Sequence, residues 1–235
     1  GLAQANFDLS QAALLVNGNI KGATADVYRE SLRRLRLPQP LTPMRGPTRV
    51  DRLIFATTAG THGVSKSPYA VCQARELFLP AEPAPRRVGA VRRLWIQRGD
   101  RYKRRLTNQE ELIGLATQFG FEPVTPEIMT VAEQAALFSE ASACIGPIGA
   151  GFTNIMFCRP GTAVVTLSPS VGRETFFYDI ASIVGVEYAY LFGEAIDPSL
   201  RYNPDFSVPP DALRGALERI AGRPAQPVWL AGMTD

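Results

Sequence analysis

Apolar residues recur along the chain in short runs and helical stripes, punctuated by glycine and proline. Residues 12–17 read as a strand, and Val27, Leu32 and Leu35, with Tyr28 beside them, mark one face of an amphipathic helix over Ala25–Leu37. Pro38 and Pro40 end that helix. Leu53-Ile54-Phe55-Ala56 predicts the next strand, Thr57–Gly63 a small-residue loop, and Tyr69–Leu79 a helix. Pro80, Pro83 and Pro85 then mark a linker. Two strands make a poor free-standing sheet, so residues 1–85 are expected to be a partial N-terminal lobe, the tail of a larger domain or a reduced version of one.

After the linker the alternation becomes regular. Strands are predicted at Leu94–Ile96, Glu122–Val124, 143–146, Ala163–Leu167 and Glu187–Leu191. Helices fall between and after them, at Gln109–Phe119, Val131–Ala141, from Gly151, at Thr175–Val184 and at Pro210–Ile220. This spacing predicts a parallel sheet covered on both faces, so residues 86–235 read as an α/β, Rossmann-like domain. Two helix starts carry capping-box spacing, Thr107 with Glu110 and Thr130 with Glu133.

The turn at the centre of this half carries the most chemistry. Ala143 to Phe157 reads as a buried strand, a tight loop holding Gly146, Pro147, Gly149 and Gly151, and a helix start. A helix N-terminus presents unpaired N–H groups and a positive dipole end, so it suits phosphate or carboxylate, with Thr153 and Asn154 adding polar side chains at the mouth. An ordinary β–α turn that binds nothing fits the same residues. A second loop on the same sheet edge, Gln97–Asn108, crowds Arg98, Arg101, Lys103, Arg104 and Arg105 around the single acid Asp100. Five like charges repel unless solvent or an anion relieves them, so the loop is either a solvated basic surface or half of an anion site.

Composition narrows the class. With 235 residues, 46% hydrophobic and 20% charged, the chain can bury a substantial core. No apolar run approaches the roughly 18 residues of a membrane span, so a cytoplasmic protein is expected, with peripheral membrane association open. Three cysteines, two of them within apolar runs, favour free thiols in a reducing compartment. A net charge of +3 with clustered arginine suits a local anionic ligand better than nucleic acid. A single histidine, His62, rules out a His-based metal site or a Ser-His-Asp triad elsewhere. The glycines do not spell the dinucleotide fingerprint, and no Walker A sequence, G-x-S-x-G elbow or Asp-x-Asp pair occurs.

Several blocks in order resemble one family. Trp95-Ile96-Gln97-Arg98, Arg104-Arg105-x-x-Asn108-x-x-Glu111-Leu112, Gly120-Phe121-Glu122, Glu133-Gln134-x-x-Leu137-Phe138 and Gly146-Pro147-x-Gly149-Ala150-Gly151-x-Thr153-Asn154, through Pro160-Gly161, are similar to family 61 glycosyltransferases. The resemblance is closest over roughly residues 90–195. It implies a two-lobed GT-B architecture, with a nucleotide-diphosphate sugar held mainly by the second lobe and a glycan acceptor facing the first. It also implies inversion at the anomeric carbon with no cofactor and no essential metal, in agreement with the missing Asp-x-Asp pair, and a place in bacterial surface-polysaccharide synthesis.

Roles follow from that resemblance. Arg98 and Arg105, with Arg104, would neutralise the diphosphate as the glycosidic bond breaks. Gly149, Ala150, Gly151 and Thr153 would hold the same group, with Asn154 orienting it, while Asn108 and Gln134 are either support or plain structure. The catalytic base would be His62, with Asp100 and Asp179 as weaker candidates. Two positions depart from the family pattern: Ile148 stands where the turn usually carries His, and Thr166 where the next strand often ends in Glu. A non-catalytic nucleotide- or glycan-binding member therefore stays open beside the enzyme, and an unrelated oxidoreductase would instead bind NAD(H).

Overall fold

A computed structural model describes residues 12–18, 20–37, 41–54, 66–79, 92–98, 104–171, 175–200 and 204–223. Two sheets are present among them. In the N-terminal part, β1 (Leu14–Asn17) pairs in parallel with β2 (Leu41–Met44) across helix α1 (Ala23–Arg34), a single βαβ unit. The expected strand at 53–56 is not the partner. Leu53 and Ile54 are exposed and outside any strand, whereas Phe55 and Ala56 lie outside the described residues. The actual partner, β2, is only four residues long and contains Pro43, which an edge strand tolerates but which hides it from a propensity reading.

The second sheet has six strands in the order β4-β3-β5-β6-β7-β8: β3 (Arg92–Ile96), β4 (Phe121–Val124), β5 (Ala141–Pro147), β6 (Ala163–Pro169), β7 (Glu187–Ala195) and β8 (Phe206–Ser207). Five run parallel and only β8 is antiparallel, so the chain is mixed α/β with a Rossmann-like parallel sheet. β6 is buried along its whole length and β5 at every position but Ser142, and such mainly apolar strands are what a sheet covered on both faces selects.

Alternate residues separate the two faces. Leu94, Ile96, Cys144 and Val164 point to one cluster under α2 (Pro68–Phe78), α4 (Val131–Glu140) and α5 (Phe176–Val184). Trp95, Ala143, Ile145, Val165 and Leu167 point to the other, under α3 (Gln109–Gln118) and α6 (Pro210–Ala221). Each fully buried Leu or Ile contributes about 1.5–3 kcal/mol, so these interleaved faces hold the sheet more firmly than any surface ion pair does.

Three local expectations change. The segment after the glycine turn, Ala150–Phe157, is a 3₁₀ helix rather than an α-helix, unusually long for that form. The Thr130–Glu133 capping box forms, with Glu133 N–H donating to Thr130 Oγ1 at 3.3 Å and Thr130 N–H to Glu133 Oε2 at 2.7 Å. The Thr107–Glu110 box does not: α3 starts after Asn108, and the Thr107 hydroxyl donates to the Phe206 carbonyl. Finally, α2 precedes the proline linker but packs on the C-terminal half, placing Val71 in its core and donating from Arg75 to the carbonyls of Met156 and Cys158 at the far end of the 3₁₀ helix.

Candidate functional site

Strand order locates the site. Counting β3 as first in its sheet, the order is 2-1-3-4-5-6, and the direction of winding reverses between β3 and β5. At such a switch point the loops leaving the two central strands diverge and open a crevice beyond their C-terminal ends, where ligands of open α/β sheets bind. The loop leaving β3 begins Gln97-Arg98, and that leaving β5 is the glycine turn.

Arg98 bridges these two loops. Its Nη1 donates to the Ile148 carbonyl at 3.1 Å, and its side chain lies over Gly149, where an added Cβ would come within 3.2 Å of Cδ and 3.3 Å of Nε. Gly149 is buried beneath it, while Ala150 is exposed and Gly151 and Thr153 are half-buried. The Phe152 N–H donates to the Gly149 carbonyl at 3.0 Å, and the Ala150 and Gly151 N–H groups before it have no acceptor within the helix. A cation and the start of a helix therefore meet at one turn. Gly146 is required for a different reason, since a Cβ there would run into the Ile96 carbonyl of β3.

A polar scaffold fixes the turn from behind. Asn154, almost fully buried, donates from Nδ2 to Gln134 Oε1 at 2.6 Å and to the Gly151 carbonyl at 3.1 Å. Gln134 Nε2 donates in turn to the Met129 carbonyl at 2.9 Å. Asn154 and Gln134 thus tie the 3₁₀ helix to α4. On the other side of the crevice, the Thr125 hydroxyl donates to Gln97 Oε1 at 3.0 Å, joining the loops after β3 and β4. Thr125 does not stand out by sequence, and the Arg75 clasp joins positions 81 apart, a separation no local pattern reveals.

The remaining predicted residues divide. Arg105 is drawn to the β8 side, where its Nε donates to Asp205 Oδ2 at 2.9 Å and its N–H to Oδ1 at 2.8 Å. Those hydrogen bonds hold the Asp205 carboxyl below the usual carboxylate range. Asn108 joins the same clasp, donating to the Val208 carbonyl at 2.9 Å and accepting from the Val208 N–H at 3.3 Å. Arg104 sits just before them with φ 57, a left-handed conformation uncommon for a non-glycine residue. His62 and Asp100, with Arg101 and Lys103, lie outside the described residues. Asp179 is in the first turn of α5, with Oδ2 buried and without a hydrogen-bond partner among the described residues.

A family model described as Glycosyltransferase 61 matches residues 11–165, more than half of the chain and including the crevice and the βαβ unit before it. The chain belongs to glycosyltransferase family 61. None of the curated proteins is similar enough to this family 61 chain to be matched. The two positions that depart from the usual family 61 pattern are both interior. Ile148 is only 2% exposed and packs in the core with Phe152, and Thr166 is fully buried with its hydroxyl donating to Tyr188 Oη at 2.7 Å. Among the described residues no helix is long and apolar enough to cross a membrane.

Proposed function

We propose that this family 61 glycosyltransferase transfers a sugar from a nucleotide-diphosphate donor to a glycan hydroxyl with inversion, without an essential metal, in bacterial surface-polysaccharide synthesis and within a two-lobed GT-B arrangement. The observation that carries the donor assignment is Arg98 bonded to the Ile148 carbonyl across the switch point, over Gly149 at the start of the 3₁₀ helix. As the bond between the anomeric carbon and the diphosphate oxygen breaks, charge accumulates on that oxygen. A fixed guanidinium and backbone N–H groups stabilise it where a metal would otherwise serve. The acceptor hydroxyl attacks from the opposite face and gives its proton to a base, for which His62 and Asp100 are the proposed groups. Arg104 and Arg105 contribute to the positive field of the crevice, with Arg105 also anchoring its loop through Asp205.

Thermal unfolding with UDP, GDP, CMP and their sugars tests the donor site. A diphosphate at about 100 times its Kd stabilises by about 2.7 kcal/mol, which raises Tm by about 5–10 °C in a chain of this size. Wild type is expected to show that shift with at least one nucleotide and Arg98→Ala to lose most of it. Equal shifts in both would remove Arg98 from the site. A second reading has its own observation: position 148 offers a buried aliphatic side chain and no titratable group, which suits a member that binds nucleotide without turning it over. Release of free nucleotide from the sugar donor in the presence of acceptor separates the two.

A further inference from the structure

A groove of about 580 Å³ runs beside the edge strand β4, between it and helix α4. Its size and lining suit a small ligand: Val124, Met129, Ala136 and Leu137 supply apolar walls, and Thr125 adds a polar group where the groove meets the C-terminal edge of the sheet. Ile128, also in the wall, is 86% exposed. A rigid turn holds it there. The Ile128 N–H donates to the Thr125 carbonyl at 3.3 Å, the Met129 N–H to the Pro126 carbonyl at 3.1 Å, and Gln134 Nε2 fixes the Met129 carbonyl. Core burial does not account for an isoleucine so placed, whereas a ligand lying in the groove would cover it.

One end of the groove adjoins the switch point. Ile96 pairs with Val124 and Trp95 with Ile145, so Gln97, Thr125 and the glycine turn leave neighbouring strands at one level of the edge. The Thr125 hydroxyl donates to Gln97 Oε1, which engages the acceptor of that side chain. The Gln97 Nε2 amide, without a partner among the described residues, is left as a donor. Arg98, over Gly149, follows directly. β4 lies two strand spacings from β5, about 10 Å, which is the reach from a diphosphate through its ribose to the base.

We infer that the nucleoside of the donor occupies this end of the groove, its base against Val124, Ile128 and Met129 and a ring carbonyl of the base accepting from Gln97 Nε2. The inference rests on the donor reading above and deepens it: the base is one that carries a ring carbonyl, uracil or guanine, rather than adenine. A base is a flat body with polar atoms on its rim, so aliphatic walls cover its faces and an amide reads its edge. With its oxygen bonded to Thr125, the Gln97 side chain offers donors alone, which a carbonyl oxygen meets. The two-bond pairing by which an amide reads adenine needs that oxygen as acceptor and is closed. Thr125 is thus a positioning residue that sets which half of the amide faces the ligand, and a side chain already oriented loses little entropy when the ligand arrives.

Isothermal titration of wild type, Gln97→Leu, Ile128→Ser and Arg98→Ala with UDP, GDP, ADP and inorganic pyrophosphate tests this, with circular dichroism as the check on folding. Wild type should bind UDP or GDP about tenfold more tightly than ADP. Gln97→Leu should lose about tenfold for that nucleotide, and with it the preference over ADP, and Ile128→Ser about fivefold, while both hold pyrophosphate as wild type does. Unchanged nucleotide affinity in Gln97→Leu or in Ile128→Ser, a loss equal for nucleotide and pyrophosphate, or ADP bound by wild type as tightly as UDP and GDP overturns the inference. If Arg98→Ala still loses nucleotide in that event, the donor reading stands without it. Nucleotide lost in both groove variants but kept in Arg98→Ala upholds the base site and removes Arg98 from the diphosphate. No binding of any of the four ligands overturns both. Self-association of wild type that Ile128→Ser abolishes, with nucleotide binding unchanged, makes the groove a contact between copies and overturns the inference.

Discussion

An alanine methyl at position 149 would lie 3.2 Å from Cδ, 3.3 Å from Nε and 3.7 Å from Cζ of Arg98. Those atoms belong to a flexible side chain, and the backbone at Gly149, φ 176 and ψ 176, is extended. Gly149→Ala therefore moves the guanidinium and leaves the main chain in place. The stability lost is that of the Arg98–Ile148 hydrogen bond, about 1 kcal/mol for a neutral bond and up to about 3 for a charged donor, or a Tm drop of about 2–4 °C per kcal/mol. Gly146→Ala is the opposite case. Its methyl would meet the carbonyl oxygen, carbonyl carbon and nitrogen of Ile96, all backbone atoms of a central strand that cannot give way, so about 3 kcal/mol or more is expected. Thermal unfolding over a UDP concentration series reads both quantities. Tenfold weaker binding lowers the saturating stabilisation by about 1.4 kcal/mol, or about 3–6 °C. Gly149→Ala should stay folded and lose that much of the UDP shift, whereas Gly146→Ala should lose stability before any ligand is added. An unchanged UDP shift in Gly149→Ala would refute the placing of Arg98 at the ligand, and a Gly146→Ala protein as stable as wild type would refute the close approach of β3 and β5.

The Arg105–Asp205 clasp predicts an acid-sensitive loop. Because the folded carboxyl sits below its unfolded value of about 3.9, its contribution is present above that pH and fades as pH falls through the lower folded value. Hydrogen exchange at 104–108 and 204–208 should rise there, and Asp205→Asn should show the faster exchange already at neutral pH. Of the three thiols, exposed Cys72 alone should react with DTNB in the native protein. Cys144 and Cys158, buried with sulfurs 3.9 Å apart, should react only on unfolding, because their mutual hydrogen bond and burial push the Cys144 thiol well above its ordinary range. In the amide pair, Asn154→Ala should cost about 1–3 kcal/mol, and a double-mutant cycle with Gln134→Ala should show coupling above about 0.5 kcal/mol, measured by urea unfolding.

How much of this was legible depended on the range of the interaction that decides each element. The parallel sheet could be read because β5 and β6 are mainly apolar stretches whose meaning is local. The turn at the switch point was partly legible: a glycine turn after a strand advertises itself, and Arg98 comes two residues after β3. Strand order, which makes that pair face each other, is a tertiary property. Arg105 and Arg98 look alike within one basic loop, and the partner that pulls Arg105 towards Asp205 lies 100 positions on. β8, two residues long, and the extension of β7 to Ala195 exist because they pair with each other, so neither is visible alone. The 3₁₀ form of Ala150–Phe157 was hidden as well, since its apolar spacing serves either helix and its ends are set by Gly149 and the Arg75 clasp.

That clasp changes where the chain can be divided. Helix α2 comes before the run of prolines, yet it supplies Val71 to the interior of the later half and caps the back of the segment that opens onto the crevice. Severing the polypeptide at the prolines would strip the larger half of one of its covering helices and bare the apolar surface beneath. A fragment meant to stand alone has to begin ahead of Ser67, whose hydroxyl accepts the Ala70 N–H at the start of that helix.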